Sequence, residues 1–141
     1  MTTFPVRRTL AALPLFLGLL FVLSPAVSAQ TADVTIISDT RNQNVSRNDE
    51  YRVRFTVENT GTTEIRGGVF VEFDVPGGGT VVRRVENTVL RAGETKTFRF
   101  KERIRSNSPS GQYNTRVSFE SIDRTTVYDM ATTTFTVSGD N

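Results

Sequence analysis

Residues 50–59, EYRVRFTVEN, decide the fold class. Tyr51, Val53, Phe55 and Val57 alternate with Arg52, Arg54, Thr56 and Glu58. Successive side chains of an extended strand point to opposite faces, so this period of two puts the apolar set on one face and the charged set on the other. A helix with the same sequence would scatter both sets around its axis. The β-branched and aromatic content of the stretch favours the strand.

The same alternation recurs on both sides of it. The pattern predicts seven strands at about Asp33–Ser38, Glu50–Asn59, Ile65–Val75, Thr80–Val89, Glu94–Ile104, Gln112–Ile122 and Val127–Val137. Val69, Val71, Phe73 and Val75 face inward on the third, and Glu72 and Asp74 outward. Phe98 and Phe100 face the core on the fifth, with Arg99 and Lys101 outside. Tyr113, Thr115, Val117 and Phe119 point inward on the sixth, and Phe135 and Val137 on the seventh. Pro76 and Gly77-Gly78-Gly79 end the third strand, as Pro and Gly do at turns. The polar segment Thr40–Asp49 reads as a loop. Short strands with polar turns, and no segment of helical period, predict an all-β, seven-stranded, immunoglobulin-like antiparallel sandwich of two sheets.

Residues 1–29 read differently. Arg7 and Arg8 precede an apolar run, Leu10–Leu23, which is shorter than the roughly 20 residues a spanning helix needs. Pro25 breaks it, and Val27 and Ala29 are the small residues of an export-signal cleavage site. The chain is therefore expected to carry a cleavable signal peptide over 1–29, read by the general secretory route, and a single domain over 30–141. Arg7 and Arg8 are the only charged residues of the leader. Of 17 basic and 15 acidic side chains in the whole chain, residues 30–141 thus hold 15 of each. The net charge therefore gives no argument for nucleic acid or an anionic membrane as partner, and no nucleic-acid partner is expected. The domain also contains no further apolar segment long enough to span a membrane, so the expected location is the periplasm or the cell exterior.

Three stretches share a further pattern. In VRFTVENTGTTEI (Val53–Ile65) an alternating strand ends in Asn59-Thr60-Gly61. In LRAGETKTFRF (Leu90–Phe100) Ala92-Gly93-Glu94 reverses the chain into a Phe-bearing strand. In SGQYNTRVSFESID (Ser110–Asp123) a Gly turn leads into Tyr113. In this order and spacing they resemble the CARDB-type domains, cell-adhesion-related bacterial modules of immunoglobulin-like or fibronectin-III-like form. The resemblance covers about Val34–Val137 and implies adhesion or spacing. A neighbouring family of small β-sandwich proteinase inhibitors has a similar L-x-x-G-E turn and G-x-Y strand. Within such a sandwich Gly61, Gly93 and Gly111 are expected to supply positive φ. Asn59 is expected to bond turn backbone, and Tyr113 to set its ring in the core with its hydroxyl on nearby backbone.

Catalytic chemistry finds few carriers. The chain has no His and no Cys, which removes Ser-His-Asp and Cys-His nucleophiles, disulfides, and imidazole or thiolate metal sites. Lys96 and Lys101 are expected on an outer face, where burial does not depress a lysine pKa. Glu72 and Asp74 share one face but sit on a domain with no long loops to make a cleft. Asp33, Asp39, Asp49, Asp123 and Asp129 fall near strand ends, without the D-x-D-x-D-G spacing of a calcium loop. No cofactor or metal is expected, and the chain is read as a non-enzyme.

One constellation points to binding. Arg52 and Arg54 project outward from the second strand, and Arg99 and Lys101 from the fifth. In an immunoglobulin-like sandwich these strands are neighbours in one sheet. The four cations form a possible basic binding face, with Glu58 and Glu102 expected to compensate part of it. The expected function is a non-catalytic interaction or structural module whose partner is an extracytoplasmic protein or cell-surface polymer. The alternative is an exported proteinase inhibitor or enzyme regulator presenting Val75–Thr80 or Arg103–Gly111 to its target.

Overall fold

Once residues 50–59 are extended, their backbone groups need partners on both sides and their apolar face needs cover. The computed structural model, which describes residues 30–38 and 43–139, supplies both. The elements are β1 (Ala32–Ser38), β2 (Gln43–Val45), β3 (Glu50–Asn59), β4 (Ile65–Asp74), β5 (Thr80–Leu90), β6 (Thr95–Arg103), β7 (Gly111–Glu120) and β8 (Val127–Val137). One sheet has the order β1-β3-β6 and the other β2-β8-β7-β4-β5. They face each other as a sandwich, three strands over five. The leader expected over residues 1–29 and Asp39 lie outside the described residues.

The inward faces are those the alternation sets. Tyr51, Phe55, Val57, Val69, Val71, Val117 and Phe119 are wholly excluded from solvent. Tyr51 stacks on Phe135 at 4.1 Å between ring centres, and Phe135 stacks on Tyr113 at 4.9 Å. Phe73 meets Tyr51 and Phe135 edge-on at 5.8 and 6.0 Å. Such offset and edge-on pairs add stabilisation beyond the area they bury.

Two expectations about strands change. Residues 43–45, inside the segment read as a loop, form β2. It pairs in parallel with β8, Gln43 opposite Phe135 and Val45 opposite Val137, so the sandwich has eight strands among the described residues and is not wholly antiparallel. A three-residue strand is too short to show alternation, and its partner lies about 90 residues away in the chain. Lys96 was expected outside; its register opposite Val57 turns it inward instead.

Asn59, wholly buried at the end of β3, ties one pole of the sandwich together. Its Nδ2 donates to the carbonyls of Thr63 (2.7 Å) and Leu90 (2.9 Å), and its Oδ1 accepts from the N–H of Gly61 (3.0 Å). Its own N–H donates to Glu94 O and its C=O accepts from Gly93 N, both at 2.9 Å. The side chain thereby fixes the β3–β4 turn and the last carbonyl of β5, and the backbone of the same residue fixes the β5–β6 turn. Gly93 has φ +73° and Gly111 +127°, as their turns require. Gly61 is not among the residues of positive φ; it is held by the bond to Asn59 and by Thr31 O at 3.2 Å.

Side chains close the long edges. Asp129 Oδ2 on β8 accepts the N–H of Val34 on β1 (2.7 Å). On the opposite edge Lys96 Nζ on β6 donates to Thr88 Oγ1 (2.9 Å) and Val89 O (3.0 Å) of β5. Further along, Arg83 of β5 forks onto Glu102 of β6, at 3.3 and 3.0 Å.

Replacing Asn59 by Ala strands two carbonyls and an N–H at this pole, and each unsatisfied buried group costs about 1–3 kcal/mol. A denaturant melt of Asn59→Ala should show a loss of about 3 kcal/mol, and Asn59→Asp, which turns acceptors onto both carbonyls, at least as much. Phe55→Ala, deep in the core, should cost about 3–5 kcal/mol; an unchanged melting curve would contradict the inward placement of that face.

Candidate functional site

The outer face of the three-stranded sheet brings the four expected cations together. In the β3–β6 register Arg52 lies opposite Lys101, and Arg54 opposite Arg99. All four are exposed. Arg103, which the sequence reading left out, continues the row opposite Glu50; the odd-numbered parity of Arg99 and Lys101 already pointed to it. Five cations thus occupy one end of the face. Directly opposed like charges destabilise a strand pair. Here that repulsion is relieved at one corner: Glu50 Oε2 accepts from Arg52 (2.9 Å), and its Oε1 lies 3.9 Å from Lys101 Nζ. The Arg52 hydrogen bond, then the Lys101 charge, hold the Glu50 carboxyl below its ordinary pKa. Arg54 and Arg99 form no ion pair among the described residues.

The compensation expected from Glu58 and Glu102 is absent from this end. Glu102 sits opposite the inward Tyr51 and forks with Arg83 between the sheets. Glu58 lies four residues along the strand from Arg54, about 13 Å at strand spacing, farther than the roughly 8–10 Å over which salt screens exposed charges. Its cross-strand neighbours are Asp33 and Thr95. Thr35, Thr56 and Thr97 make a neutral row between the acidic and basic ends.

The outer face of the five-stranded sheet is arranged differently. Phe70 points outward yet is only 2% exposed. Gly68, also outward, leaves the space its ring fills: a Cβ there would come within 2.7 Å of the ring. The Arg124 and Arg84 guanidiniums cover it at 4.5 and 5.2 Å from the ring centre. Arg124 also donates to Glu120 Oε2 (2.8 Å) and Glu72 Oε1 (2.5 Å), and Arg116 lies 3.2 Å from Glu72 Oε2. Ser118 Oγ donates to Glu120 Oε1 at 2.5 Å. Arg124 has φ +61°, sparsely populated for a residue with a side chain; the turn around it is held by Arg124 N–H to Ser121 O and by Asp123, which accepts from Ser121 and Thr125. The Gly67-Gly68 pair inside a strand was the available sign of this packing. Glu72 is thus neutralised by two arginines, and Asp74 accepts from Thr80 Oγ1 (3.0 Å).

The remaining candidates separate. Asp123 serves its turn and Asp129 the β1 edge, and no group of three or more ligating side chains occurs among the described residues. Tyr113 donates its hydroxyl to Pro109 O (2.9 Å), the corner the sequence led us to expect; burial raises its pKa, with a Ser108 hydrogen bond and the Arg47 charge opposing. Residues 75–80 form a tight turn, Val75 N–H to Gly79 O and Gly78 N–H to Val75 O, both 3.0 Å. At Gly77, Gly78 and Gly79 a Cβ would meet nothing within 4 Å, so this tip projects into solvent. Residues 105–109 close on themselves through Ser108 N–H to Arg105 O (3.0 Å) and Arg105 N–H to Ser108 Oγ (3.1 Å).

Glu120 carries a pH dependence. Burial raises its pKa, but the bonds from Arg124 and Ser118 outweigh this and hold it below the ordinary 4.5. A carboxylate depressed on folding contributes stability that is present above the unfolded value and lost as pH falls through the folded one. Denaturant stability followed from about pH 6 downward should therefore drop below about pH 4.5. The drop should be shallower in Glu120→Gln, with a residual slope from Glu50 and Asp123, whose carboxyls are also depressed.

Comparison with known proteins places this geometry. Among solved structures, Pseudomonas fluorescens alkylpurine DNA glycosylase AlkC, bound to DNA containing an abasic site analog, superposes with a TM-score of 0.61 at 15% identity. The match covers 78% of this chain and 31% of that one. A β-glucosidase from Listeria innocua in complex with glucose gives 0.59 at 16% identity, over 78% of this chain and 16% of that one. The C-terminal domain of wzt gives 0.59 at 12% identity, covering 81% and 77%. At these identities the likeness is one of fold, and the chain spans less than a third of the first two proteins. No curated protein matches it in sequence. The CARDB family model matches residues 31–127, from the residue before β1 to the first residue of β8, and the chain belongs to the CARDB family.

Proposed function

We propose that this protein is an exported, non-catalytic interaction module that holds an acidic partner, a protein or cell-surface polymer, on the outer face of its three-stranded sheet. The observation that carries the reading is the register that sets Arg54 opposite Arg99 and Arg52 opposite Lys101, with Glu50 as the local carboxylate. An exposed array of like charges is kept at a cost to sheet pairing, and a polyanion would relieve it. The signal-like leader supports a periplasmic or extracellular site of action, and the absence of His and Cys supports a role without catalysis. CARDB membership supports adhesion-related work. The proteinase-inhibitor reading draws less support: the projecting tip is three glycines, which offer no side chain to a specificity pocket, and residues 105–109 are folded onto themselves.

The test is binding of the purified domain to an acidic polysaccharide, followed against salt. Arg52→Glu with Arg99→Glu should abolish salt-sensitive binding and leave the melting temperature near that of the wild type, because exposed charges are screened and contribute little to folding. Binding that survives the double substitution would refute the face as the site.

A further inference from the structure

The two sheets meet closely at one pole and part at the other. At the end of β5 near Leu90, Asn59 and Lys96 close the gap between β5 and β6. Toward Thr80 and Arg103 the strands diverge, and a cleft of about 290 Å³ opens between them. Its floor is apolar: Phe73, Val75, Val81, Tyr113 and Phe135. The rings of Phe73, Tyr113 and Phe135 are locked in the stack that includes Tyr51, so the floor is preformed. Its rim is cationic: Arg105, Arg83 forked to the carboxylate of Glu102, and Arg103, which also ends the basic row and donates to Asn48 O (3.2 Å).

The walls decide what fits. Among the described residues β5 has a strand neighbour, β4, on one side only, and β6 likewise has only β3. Both free edges border the cleft. A free edge presents rows of backbone donors and acceptors, which an extended peptide satisfies by adding as a strand. At about 290 Å³ the cleft lies at the small end of ligand pockets, room for a large side chain. The three rim arginines match carboxylates at the positions flanking that side chain.

We propose that this cleft docks an extended, acidic peptide segment of another protein, which adds along the free edge of β5 and sets one bulky apolar side chain on the Phe73–Tyr113–Phe135 floor. The Arg83–Glu102 fork spans the entrance and would part as the strand enters. The cleft shares Arg103 with the basic face of β3 and β6 but none of Arg52, Arg54, Arg99 and Lys101, and its occupant goes beyond the binding role of that face.

Selection of a phage-displayed random decapeptide library on the purified domain tests it. Enriched sequences should carry one Phe, Leu or Ile with Asp or Glu two residues to either side. A synthetic peptide of the enriched sequence should slow amide exchange along β5. Its affinity should fall at least tenfold in Arg105→Glu, an exposed change that leaves the melt unaltered, and in Val81→Trp, which fills the cleft. Arg52→Glu with Arg99→Glu should leave its affinity within twofold, so failure of the basic face and failure of the cleft read out separately. No enrichment, enriched peptides indifferent to Arg105→Glu, or a concentration-dependent dimer abolished by Val81→Trp would each overturn the proposal, the last in favour of a second copy of the chain as occupant.

Discussion

A single buried amide holds this sandwich shut at one pole. Asn59 belongs to the three-stranded sheet but donates both of its amide hydrogens to carbonyls beyond it, one in the β3–β4 turn and one at the end of β5 in the opposite sheet. A buried polar group is costly unless satisfied, and once satisfied it specifies geometry that apolar packing leaves loose. The protein has no disulfide to perform this task. The hydrogen bonds of Asn59 set the angle at which β3 hands over to β4, and β5 to β6. The sheets are tied at Leu90, and a cleft opens between them at Arg103.

Charged side chains finish what backbone pairing leaves undone. Asp129 occupies a β1 amide, Lys96 occupies a β5 carbonyl, and the Arg83–Glu102 fork links the two sheets where their edges begin to part. These residues count as polar in composition, yet each points toward the gap between the sheets. The outer face of the five-stranded sheet shows the same economy: Phe70 is buried outside the core beneath two guanidiniums, and Arg124 draws Glu72 and Glu120 into one network. A long cationic side chain covers apolar surface with its body while its head satisfies carboxylates. Much of the charge in this domain is thus structural. The cations at Arg54 and Arg99 stand apart because no such partner exists for them among the described residues.

That contrast is why the three-stranded sheet is the face we propose for binding. Its outer surface spans three strands, acidic at Asp33 and Glu58, neutral across three threonines, and cationic from Arg54 to Arg103. A domain that is neutral as a whole still carries a local field when its charges are sorted along a strand.

The alternation of residues 50–59 and its repeats determined the all-β class, the inward faces and the bounds of most strands, because side-chain direction in a strand depends only on parity. Parity also put Arg52, Arg54, Arg99 and Lys101 outside, and turn chemistry marked Asn59 and Tyr113 for backbone bonding. Only tertiary structure decided the rest. β2 is a strand because β8 lies beside it, a pairing that three residues cannot announce. Lys96 and Glu102 share the inward parity of Phe98 and Phe100, but only the fold decided that they bridge to β5, and Phe70 lies buried on an outer face because Gly68 and two arginines made room and cover for it. For β2 and for the cover that Arg124 gives Phe70 the deciding partner is remote in the chain, and local pattern carries no information about a partner it does not contain.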